Sequence, residues 1–321
     1  MNAALYDERG GYYKRSDLKR WGREGDYRTS PERSELFAAT FARYFAKLYD
    51  ELQRPPSWTI VEAGPGRGDF AAGVQRALQD QFLPVYEATH YVVIETNEEL
   101  KKLAPVKTGI FFSNELLDAF PVHRVIKSGD ELWEQYVTLN ENEEFVWSKG
   151  LLSTPALPEF CREYSVELAE GQIVEINLAI DEWLEVVAAK LKSGFLITVD
   201  YGADSHDLYD AVLRPYGTLR AFSRHQFVDD VLAQPGDYDI TSSVNWSQVQ
   251  TVGARWGFST VEFAQQDRFL IGAGLLDELE HRTAAATSDA EKLSLSTGAR
   301  EMILPGGMGS SFQLLVQKRG N

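Results

Sequence analysis

The 321-residue sequence predicts an α/β fold in which helices cover both faces of a mainly parallel sheet. Two observations carry this prediction. Short apolar runs alternate with segments of helical periodicity along most of the chain, and the central runs lack the polar alternation of half-exposed strands. With 44% hydrophobic residues, the chain can bury a sizeable core. Ligands of such sheets bind beyond the carboxyl ends of the strands, so the residues that end each strand are the first candidates for a binding site.

The first long helix is predicted over TSPERSELFAATFARYFAKLYDELQ. Ser30 is its candidate N-cap, Pro31 takes the first helical position, and Pro55 with Pro56 ends it. One buried stripe at helical spacing is formed by Phe37, Phe41, Tyr44, Phe45 and Leu48.

Strands and helices alternate after this helix. WTIVEA, HYVVIE, GIFFSN and FLITVDYG predict strands, DFAAGVQRALQDQF predicts a helix, and ELLDAFP predicts a short helix after the third strand. RVIKSGDELWEQYVTL predicts a hairpin with a Ser-Gly-Asp turn, and VEINLAIDEWLEVVAAKLKSG a helix that Gly194 ends. NWSQVQTVGARWG predicts a helix with Asn245 as N-cap, and the final strands are STVEFA and SFQLLVQKR with helices between them. We predict a cap and helix over residues 1–55 and one α/β domain over 56–321, with insertions at about 121–180 and 264–305.

The charge and composition argue against several classes of function. The formal net charge of −16 argues against a nucleic-acid partner. No apolar run reaches the length of a membrane span, and the N-terminus does not read as a signal or transit peptide. Cys161 is the single cysteine, which excludes a disulfide within the chain and a cysteine metal cluster. We expect a cytoplasmic protein without a membrane partner.

A glycine-rich loop follows the first strand. Gly64, Gly66 and Gly68 stand between a strand and a helix, where glycine permits positive φ and close approach of a ligand to the backbone. The lysine of a phosphate-binding P-loop is absent. The third glycine is one residue early for a dinucleotide fingerprint, and Asp69 after it is a poor neighbour for a pyrophosphate. A tight turn without a ligand remains the structural alternative.

S-adenosylmethionine fits the loop better, because it carries a cationic sulfonium and no phosphate. Glu62 ends the first strand next to where an ammonium group would lie, and Glu95 ends the second strand where an acid accepts hydrogen bonds from ribose hydroxyls. The four polar strand ends, Glu62, Glu95, Asn114 and Asp200, are expected to line one cleft. The predicted cofactor-binding residues are Glu62, Gly64, Pro65, Gly66, Gly68, Glu95 and Asn114.

Several segments occur in the order seen in a known family. They are REGDYRTSPE, VEAGPGRGDF, SNELLDAFPVHR, LITVDYG, YGTLRAF, PGDYDITSSVNW and GGMGSSFQLLV. From about residue 5 to 318 the chain resembles the MidA-like class I methyltransferases, the family of the mitochondrial complex I assembly methyltransferase and its bacterial relatives. The resemblance implies a Rossmann-like seven-stranded sheet whose last strand is antiparallel, S-adenosylmethionine as methyl donor, and an arginine of a protein as acceptor. Residues 56–321 are then the methyltransferase domain.

The segment SNELLDAFPV is the predicted wall for the methyl acceptor. Glu115 and Asp118 are three residues apart, so one helical turn would put both carboxylates on the same face. Two carboxylates bind a guanidinium through charge-assisted hydrogen bonds, so we assign a catalytic role to Glu115 and Asp118. Asn114, which directly precedes them, is the third predicted catalytic residue. In the structural alternative, Asp118 braces the turn before Pro121 and Glu115 is a helix N-terminal acid.

Other polar residues have weaker assignments. Asp200, Tyr201 and Ser30 are candidates for the substrate pocket, although the first two also fit a buried hydrogen-bonded pair and the third a helix cap. His123 and His225 are predicted to be structural. The histidines and the cysteine lack metal-ligand spacing, so we predict no metal site.

The sequence thus predicts an S-adenosylmethionine-dependent methyltransferase that acts on an arginine of a protein substrate. Three alternatives stay open: an assembly factor that binds the cofactor with little turnover, a methyltransferase for a small molecule, and an NAD-type oxidoreductase.

Overall fold

The computed structural model describes residues 1–18, 20, 34–224, 226–304 and 311–320. The chain divides into two compact units. The small-sheet unit comprises Met1–Arg28, Leu117–Glu182 and Gly202–Thr251, and the large-sheet unit comprises Thr29–Leu116, Trp183–Tyr201 and Val252–Asn321. The predicted boundary at residue 55 and the predicted insertions stay predictions.

Helices occur in both units. They are α1 Asn2–Tyr6, α2 Glu35–Glu51, α3 Asp69–Gln81, α4 Leu83–Ala88, α5 Asn97–Lys102, α6 Ala156–Glu163, α7 Ala179–Lys190, α8 Ser205–Leu208, α9 Trp246–Arg255, α10 Gln266–Gly272, α11 Leu275–Ala285 and α12 Asp289–Ile303. Within the described ranges, none of these helices has the length and apolarity needed to cross a bilayer.

The strands form three sheets. They are β1 Trp58–Ala63, β2 Thr89–Ile94, β3 Gly109–Asn114, β4 His123–Ser128, β5 Glu131–Leu139, β6 Phe145–Gly150, β7 Ile173–Ile176, β8 Gly194–Ala203, β9 Arg220–Ser223, β10 Gln226–Val228, β11 Asp239–Thr241, β12 Val244–Asn245, β13 Phe258–Gln265 and β14 Phe312–Arg319.

The largest sheet has seven strands. Its order is β13-β14-β8-β3-β1-β2, and the two-residue β12 pairs with the end of β8. Strands β1, β2, β3 and β8 are parallel, whereas β14 runs antiparallel to both β8 and β13. The predicted seven-stranded α/β sheet with an antiparallel last strand is therefore confirmed. The carboxyl ends of β1, β2, β3 and β8 meet at one edge of this sheet.

An aromatic core covers one face of the sheet. Phe41 of α2 and Phe70 of α3 pack on Phe112 of β3, with ring centroids 5.0 and 4.3 Å away. The stripe predicted on α2 is buried, which confirms it as core. Burying an aromatic side chain of this size contributes roughly 2–3 kcal/mol, so this cluster fixes α2 and α3 on the sheet.

Helix α2 begins at Glu35, where the Ser34 side chain accepts a hydrogen bond from the Leu36 amide. The predicted cap Ser30 and the predicted first residue Pro31 lie outside the described residues. At its other end α2 stops at Glu51, before Pro55. Gln53 and Arg54 then take positive φ, which turns the chain out of the helix.

The small-sheet unit contains a four-stranded antiparallel sheet of order β6-β5-β4-β7 and a three-stranded sheet of order β10-β9-β11. Val125 and Val174 of the four-stranded sheet pack on Leu157 and Phe160 of α6. The predicted hairpin is confirmed as β4 and β5, with Gly129 in the turn at φ +65°.

Two helix predictions require correction. The predicted helix over VEINLAIDEWLEVVAAKLKSG begins only at Ala179, because Ile173–Ile176 is a strand that pairs with β4. Gly194 does not end that helix but starts β8. The short helix predicted in ELLDAFP is absent, and residues 115–120 form bends and turns. The helix over NWSQVQTVGARWG is confirmed, and the Asn245 side chain accepts from the Gln248 amide.

Candidate functional site

The glycine loop lies at the carboxyl end of β1. Gly64, Gly66 and Gly68 have φ of +70°, +54° and +78°, a region that residues with a Cβ rarely adopt. The Gly64 amide donates to the Ile94 carbonyl, and the Gly68 amide donates to the Pro65 carbonyl, both at 2.8 Å. The loop is therefore a rigid backbone turn, and its sequence requires glycine at all three places.

Space around the loop differs between its two ends. A Cβ on Gly64 would come within 3.0 Å of Leu116 Cδ1, so Leu116 packs directly on this glycine. A Cβ on Gly68 would meet nothing within 4 Å. Asp69 begins α3 and pairs with Arg67 at 3.5 Å. Open space over a positive-φ backbone is what a ligand lying on the loop needs.

Glu62 is the buried acid of the site. It lies one residue before the end of β1 and is 4% exposed. Within the described part of the chain its one hydrogen-bond partner is Tyr91, whose hydroxyl donates to Oε2 at 2.8 Å. Burial, with a smaller effect of the Glu95 charge, raises the pKa of Glu62 to about 7, although the Tyr91 hydrogen bond opposes the rise. Because the ionised form of this carboxyl group has few hydrogen-bond donors, a bound cation would stabilise it.

Tyr91 was not among the predicted site residues. Burial and the Glu62 charge raise the pKa of its hydroxyl, which therefore stays protonated and donates. Tyr91 pairs with Ile60, and Ile60 and Glu62 point to the same face of β1. The sequence alone could not identify Tyr91, because a tyrosine in the second strand faces the acid of the first only in a particular register, which the structure supplies.

Asn114 ends β3 with a free acceptor. Its amide nitrogen donates to Glu115 Oε1 at 3.0 Å, and its Oδ1 is buried with no hydrogen-bond partner among the described residues. Glu62 and Phe112 are register partners, and Asn114 lies two residues beyond Phe112. Glu62 and Asn114 thus face the same side of the sheet, at neighbouring strand ends.

The predicted single cleft needs correction, because the four strand ends do not share one face. Val199 packs in the aromatic core with Phe112, so Tyr201 points to that face and Asp200 to the opposite one. Asp200 is fully buried, and its Oδ1 accepts from the Tyr201 amide at 2.9 Å. Tyr201 stacks edge-on against Phe312 at 5.4 Å. Glu95 is exposed just after β2 and ahead of α5.

Glu115 and Asp118 do not share a helical turn. Glu115 has φ +53°, and its amide donates to the Val199 carbonyl at 2.9 Å, continuing the β3 ladder. Three backbone carbonyls of this segment accept hydrogen bonds from distant residues and not from a following helical turn. The Leu117 carbonyl accepts from the Asn177 side-chain amide, the Asp118 carbonyl from the Ser242 backbone amide, and the Ala119 carbonyl from the Tyr6 hydroxyl. The side chain of Glu115 is half-buried, and Asp118 is 4% exposed. The helical spacing that paired them in the prediction is wrong.

Pro65, His123, Ser30 and His225 are the remaining predicted residues. Pro65 is half-buried in the glycine loop. His123 Nδ1 lies 2.7 Å from Glu134 Oε1 in the small-sheet unit, in keeping with a structural role. Ser30 and His225 lie outside the described residues. Asp204, His206 and Asp207 come within 4.8 Å of one another, but all three are exposed, as acidic surface groups commonly are.

The chain matches one protein family and is similar to a solved structure. Residues 40–104 and 99–264 match the family described as "Putative S-adenosyl-L-methionine-dependent methyltransferase". A protein described as a "likely methyl transferase" from Burkholderia thailandensis, bound to S-adenosyl-homocysteine, is 27% identical with a TM-score of 0.84, covering 99% of this chain and 86% of that one.

Curated relatives are similar over most of the chain. A mitochondrial protein arginine methyltransferase NDUFAF7 homolog of Caenorhabditis elegans is 27% identical over 75% of this chain and 64% of its own length. The NDUFAF7 homolog of Drosophila melanogaster is 24% identical over 100% of this chain and 80% of its own length. The chain therefore spans slightly less than two thirds of the nematode relative. The predicted resemblance, fold and cofactor class are confirmed by these matches.

Proposed function

Because the chain belongs to this family of S-adenosyl-L-methionine-dependent methyltransferases, we propose that it transfers a methyl group from the cofactor to an arginine side chain of a protein. The observation that carries the methyl-donor half of the proposal is Glu62, a buried carboxylate with a raised pKa and one hydrogen-bond donor among the described residues, beside a glycine loop with positive φ. Such a site favours a cationic ligand without phosphate. The arginine acceptor is supported by relatives named protein arginine methyltransferases.

The residues of the sheet edge fit the cofactor in their chemistry. S-adenosylmethionine, when bound, supplies a methyl group on a cationic sulfonium. Glu62 would hold its ammonium group, and Asn114 Oδ1, which has no partner among the described residues, would accept a hydrogen bond from it or from a neighbouring donor. Glu95, exposed after β2, would accept from ribose hydroxyls. The backbone of Gly64 to Gly68 would let the ligand lie close to the chain.

For the acceptor, the chain mainly has to bind and orient a guanidinium. A carboxylate holds a guanidinium through two parallel hydrogen bonds and fixes which nitrogen points at the donor. Glu115 and Asp118 are the candidates, each considered separately, because they are not on one helical turn. Glu115 accepts from Asn114, which would fix the orientation of its carboxylate. Desolvation around the acceptor would keep water from competing for the methyl group.

Location and partners complete the proposal. We propose a cytoplasmic location, which a composition with Cys161 as the single cysteine supports. The partner that follows from the proposed activity is a protein with an accessible arginine. The net charge of −16 suits a basic substrate and disfavours a nucleic acid.

The experiment is methyl transfer from labelled S-adenosylmethionine to a panel of arginine-containing proteins, read by mass spectrometry of the products. Variants Glu115→Gln and Asp118→Asn are compared with the wild type, with cofactor affinity measured in parallel. We expect transfer to arginine that falls about tenfold or more in at least one variant while cofactor binding holds. Methylation of small molecules only, or cofactor binding without any product, would overturn the arginine proposal.

A further inference from the structure

On one face of the four-stranded sheet in the small-sheet unit, called the open face, the side chains of the β5–β6 hairpin are left exposed among the described residues. The opposite face, with Val125 and Val174, packs on α6. On the open face, cross-strand neighbours are apolar on both strands of the β5–β6 hairpin: Val137 pairs with Trp147, and Leu139 pairs with Phe145. Val137, Leu139 and Phe145 are 44%, 54% and 46% exposed. Three of these four apolar side chains are therefore exposed, which is unusual on a sheet that has already buried its other face.

A second group of bare apolar side chains lies on the loop before β9. Val212, Leu213 and Tyr216 are 87%, 71% and 74% exposed. The loop is nevertheless fixed, because Asp210 Oδ1 accepts from the Val212 and Leu213 amides at 2.8 and 2.7 Å. The Ile173 amide holds the Pro215 carbonyl at 3.0 Å. An ordered backbone therefore presents these side chains, at little further entropic cost to a partner.

Arg124 joins the open sheet face to this loop. Its guanidinium lies 4.5 Å from the Trp147 ring centroid and donates to the Tyr216 carbonyl at 3.1 Å. Glu175 anchors it at 3.2 Å and also accepts from the Thr218 amide and hydroxyl. A Cβ on Gly217 would fall 2.4 Å from the Glu175 carboxylate, so glycine is required in YGTLRAF for the loop to close on this acid. The hairpin and the loop thus form one continuous surface.

Acidic groups lie at both ends of the surface. Beyond Leu139 and Phe145, the hairpin turn carries Glu141, Glu143 and Glu144, all exposed. At the start of the loop lie Asp207, which is exposed, and Asp210, which is half-exposed. Arg214 donates to the Asp207 carbonyl, so this cation is engaged within the loop itself. Apolar side chains between two acidic ends complement a segment that carries apolar and basic residues.

We propose that this surface docks the methyl-acceptor protein through a segment that combines apolar side chains with arginine or lysine. The inference rests on the proposed function for the identity of the occupant. A second copy of this chain is disfavoured, because its acidic ends and net charge of −16 would repel. The docking surface is defined by Val137, Leu139, Phe145, Trp147, Val212, Leu213 and Tyr216.

The test uses a fluorescent peptide that alternates arginine with leucine, titrated with the full chain and read by anisotropy. The apolar variant Leu139→Ser with Phe145→Ser keeps the charge, and we expect it to weaken binding about tenfold. Glu141→Gln with Glu143→Gln should weaken binding less, and only at low salt. Leu293→Ser, a comparably exposed leucine on α12 of the large-sheet unit, is the matched control and should bind as wild type does.

The outcomes separate docking from catalysis. No cofactor or turnover is needed for the titration, and cofactor affinity should be equal in all variants. Equal binding of the arginine–leucine peptide by the apolar variant and the wild type would overturn the proposal, as would equal binding of a glutamate–leucine peptide. A wild-type dimer in sedimentation that the apolar variant abolishes would assign the surface to a second copy instead. Docking without methyl transfer would contradict only the proposed function.

Discussion

Each unit has a buried glutamate, Glu62 in the large-sheet unit and Glu175 in the small-sheet unit, and the two differ in the number of hydrogen bonds that they accept. Glu175 is 3% exposed in its side chain and is satisfied by Arg124 and by the Thr218 amide and hydroxyl. Glu62 is equally buried but has one donor, Tyr91, among the described residues, and its pKa is raised to about 7. A buried carboxylate that accepts several hydrogen bonds stabilises a fold. A buried carboxylate with few donors, at the edge of a sheet, is suited to bind a cation. Burial alone does not distinguish the two roles, but the number of donors does.

Changing each glutamate to glutamine tests this contrast most strongly. Glu175→Gln leaves Arg124 buried without its carboxylate partner and should lower the free energy of unfolding by about 3 kcal/mol. Glu62→Gln should leave the fold intact and weaken S-adenosylmethionine by at least about tenfold, because a charge-assisted hydrogen bond to the ammonium is lost. Denaturant unfolding and calorimetry measure the two effects.

The two variants serve as controls for each other. Cofactor affinity should be unchanged in folded Glu175→Gln, and stability near pH 8 should be unchanged or higher in Glu62→Gln. A Glu62→Gln protein that loses stability but binds the cofactor normally would reverse the assignment of roles.

A pair of glycines gives a matched comparison of backbone strain. Gly68 and Gly171 have φ of +78° and +73°, and a Cβ on either would meet nothing within 4 Å. Alanine should therefore cost about 1 kcal/mol of stability at both positions. Only Gly68→Ala should weaken cofactor binding, by about tenfold, because its Cβ enters the space over the loop. Equal affinities of the two variants for S-adenosylmethionine would show that no ligand lies on Gly68.

The pH dependence of stability should have opposite sign at Glu62 and Glu134. The raised pKa of Glu62 means that the folded protein keeps a proton there that the unfolded chain releases, so its contribution falls as pH rises from the ordinary value of 4.5 through about 7. For Glu134, burial raises the pKa, but hydrogen bonds from His123, Ser153 and Tyr136 outweigh it and lower the pKa, so its contribution is lost as pH falls. Thermal unfolding of wild type, Glu62→Gln and Glu134→Gln across pH 4 to 8 measures both.

The wild type should lose stability relative to Glu62→Gln as the pH rises, by up to about 3 kcal/mol. Relative to Glu134→Gln, it should lose stability as the pH falls. A Glu62→Gln curve parallel to the wild-type curve through pH 7 would contradict the raised pKa.

The sheet and the glycine loop could be predicted because local signals agree there. Gly64, Gly66 and Gly68 follow an apolar run and precede a helical one, and all three take the positive φ that glycine allows. The motif order also carried the resemblance, which the family match confirms. These features depend on residues close together in the sequence.

The segment after β3 could not be predicted, because distant groups decide its shape. The carbonyls of Leu117, Asp118 and Ala119 accept from donors of Asn177, Ser242 and Tyr6, and Glu115 adopts a positive φ that is uncommon for glutamate. The face to which each strand end points was also beyond the sequence, because it depends on the register. Asp200 therefore lies on the opposite face from Glu62, although both lie near the carboxyl ends of their strands.

The most direct test of the account is a calorimetric titration of the protein with S-adenosylmethionine and with NAD, in wild type and in Glu62→Gln. We expect S-adenosylmethionine to bind the wild type and to bind Glu62→Gln at least about tenfold more weakly, with no binding of NAD to either. Tight NAD binding without S-adenosylmethionine binding would contradict the central claim that the glycine loop and Glu62 form a seat for a cationic, phosphate-free cofactor.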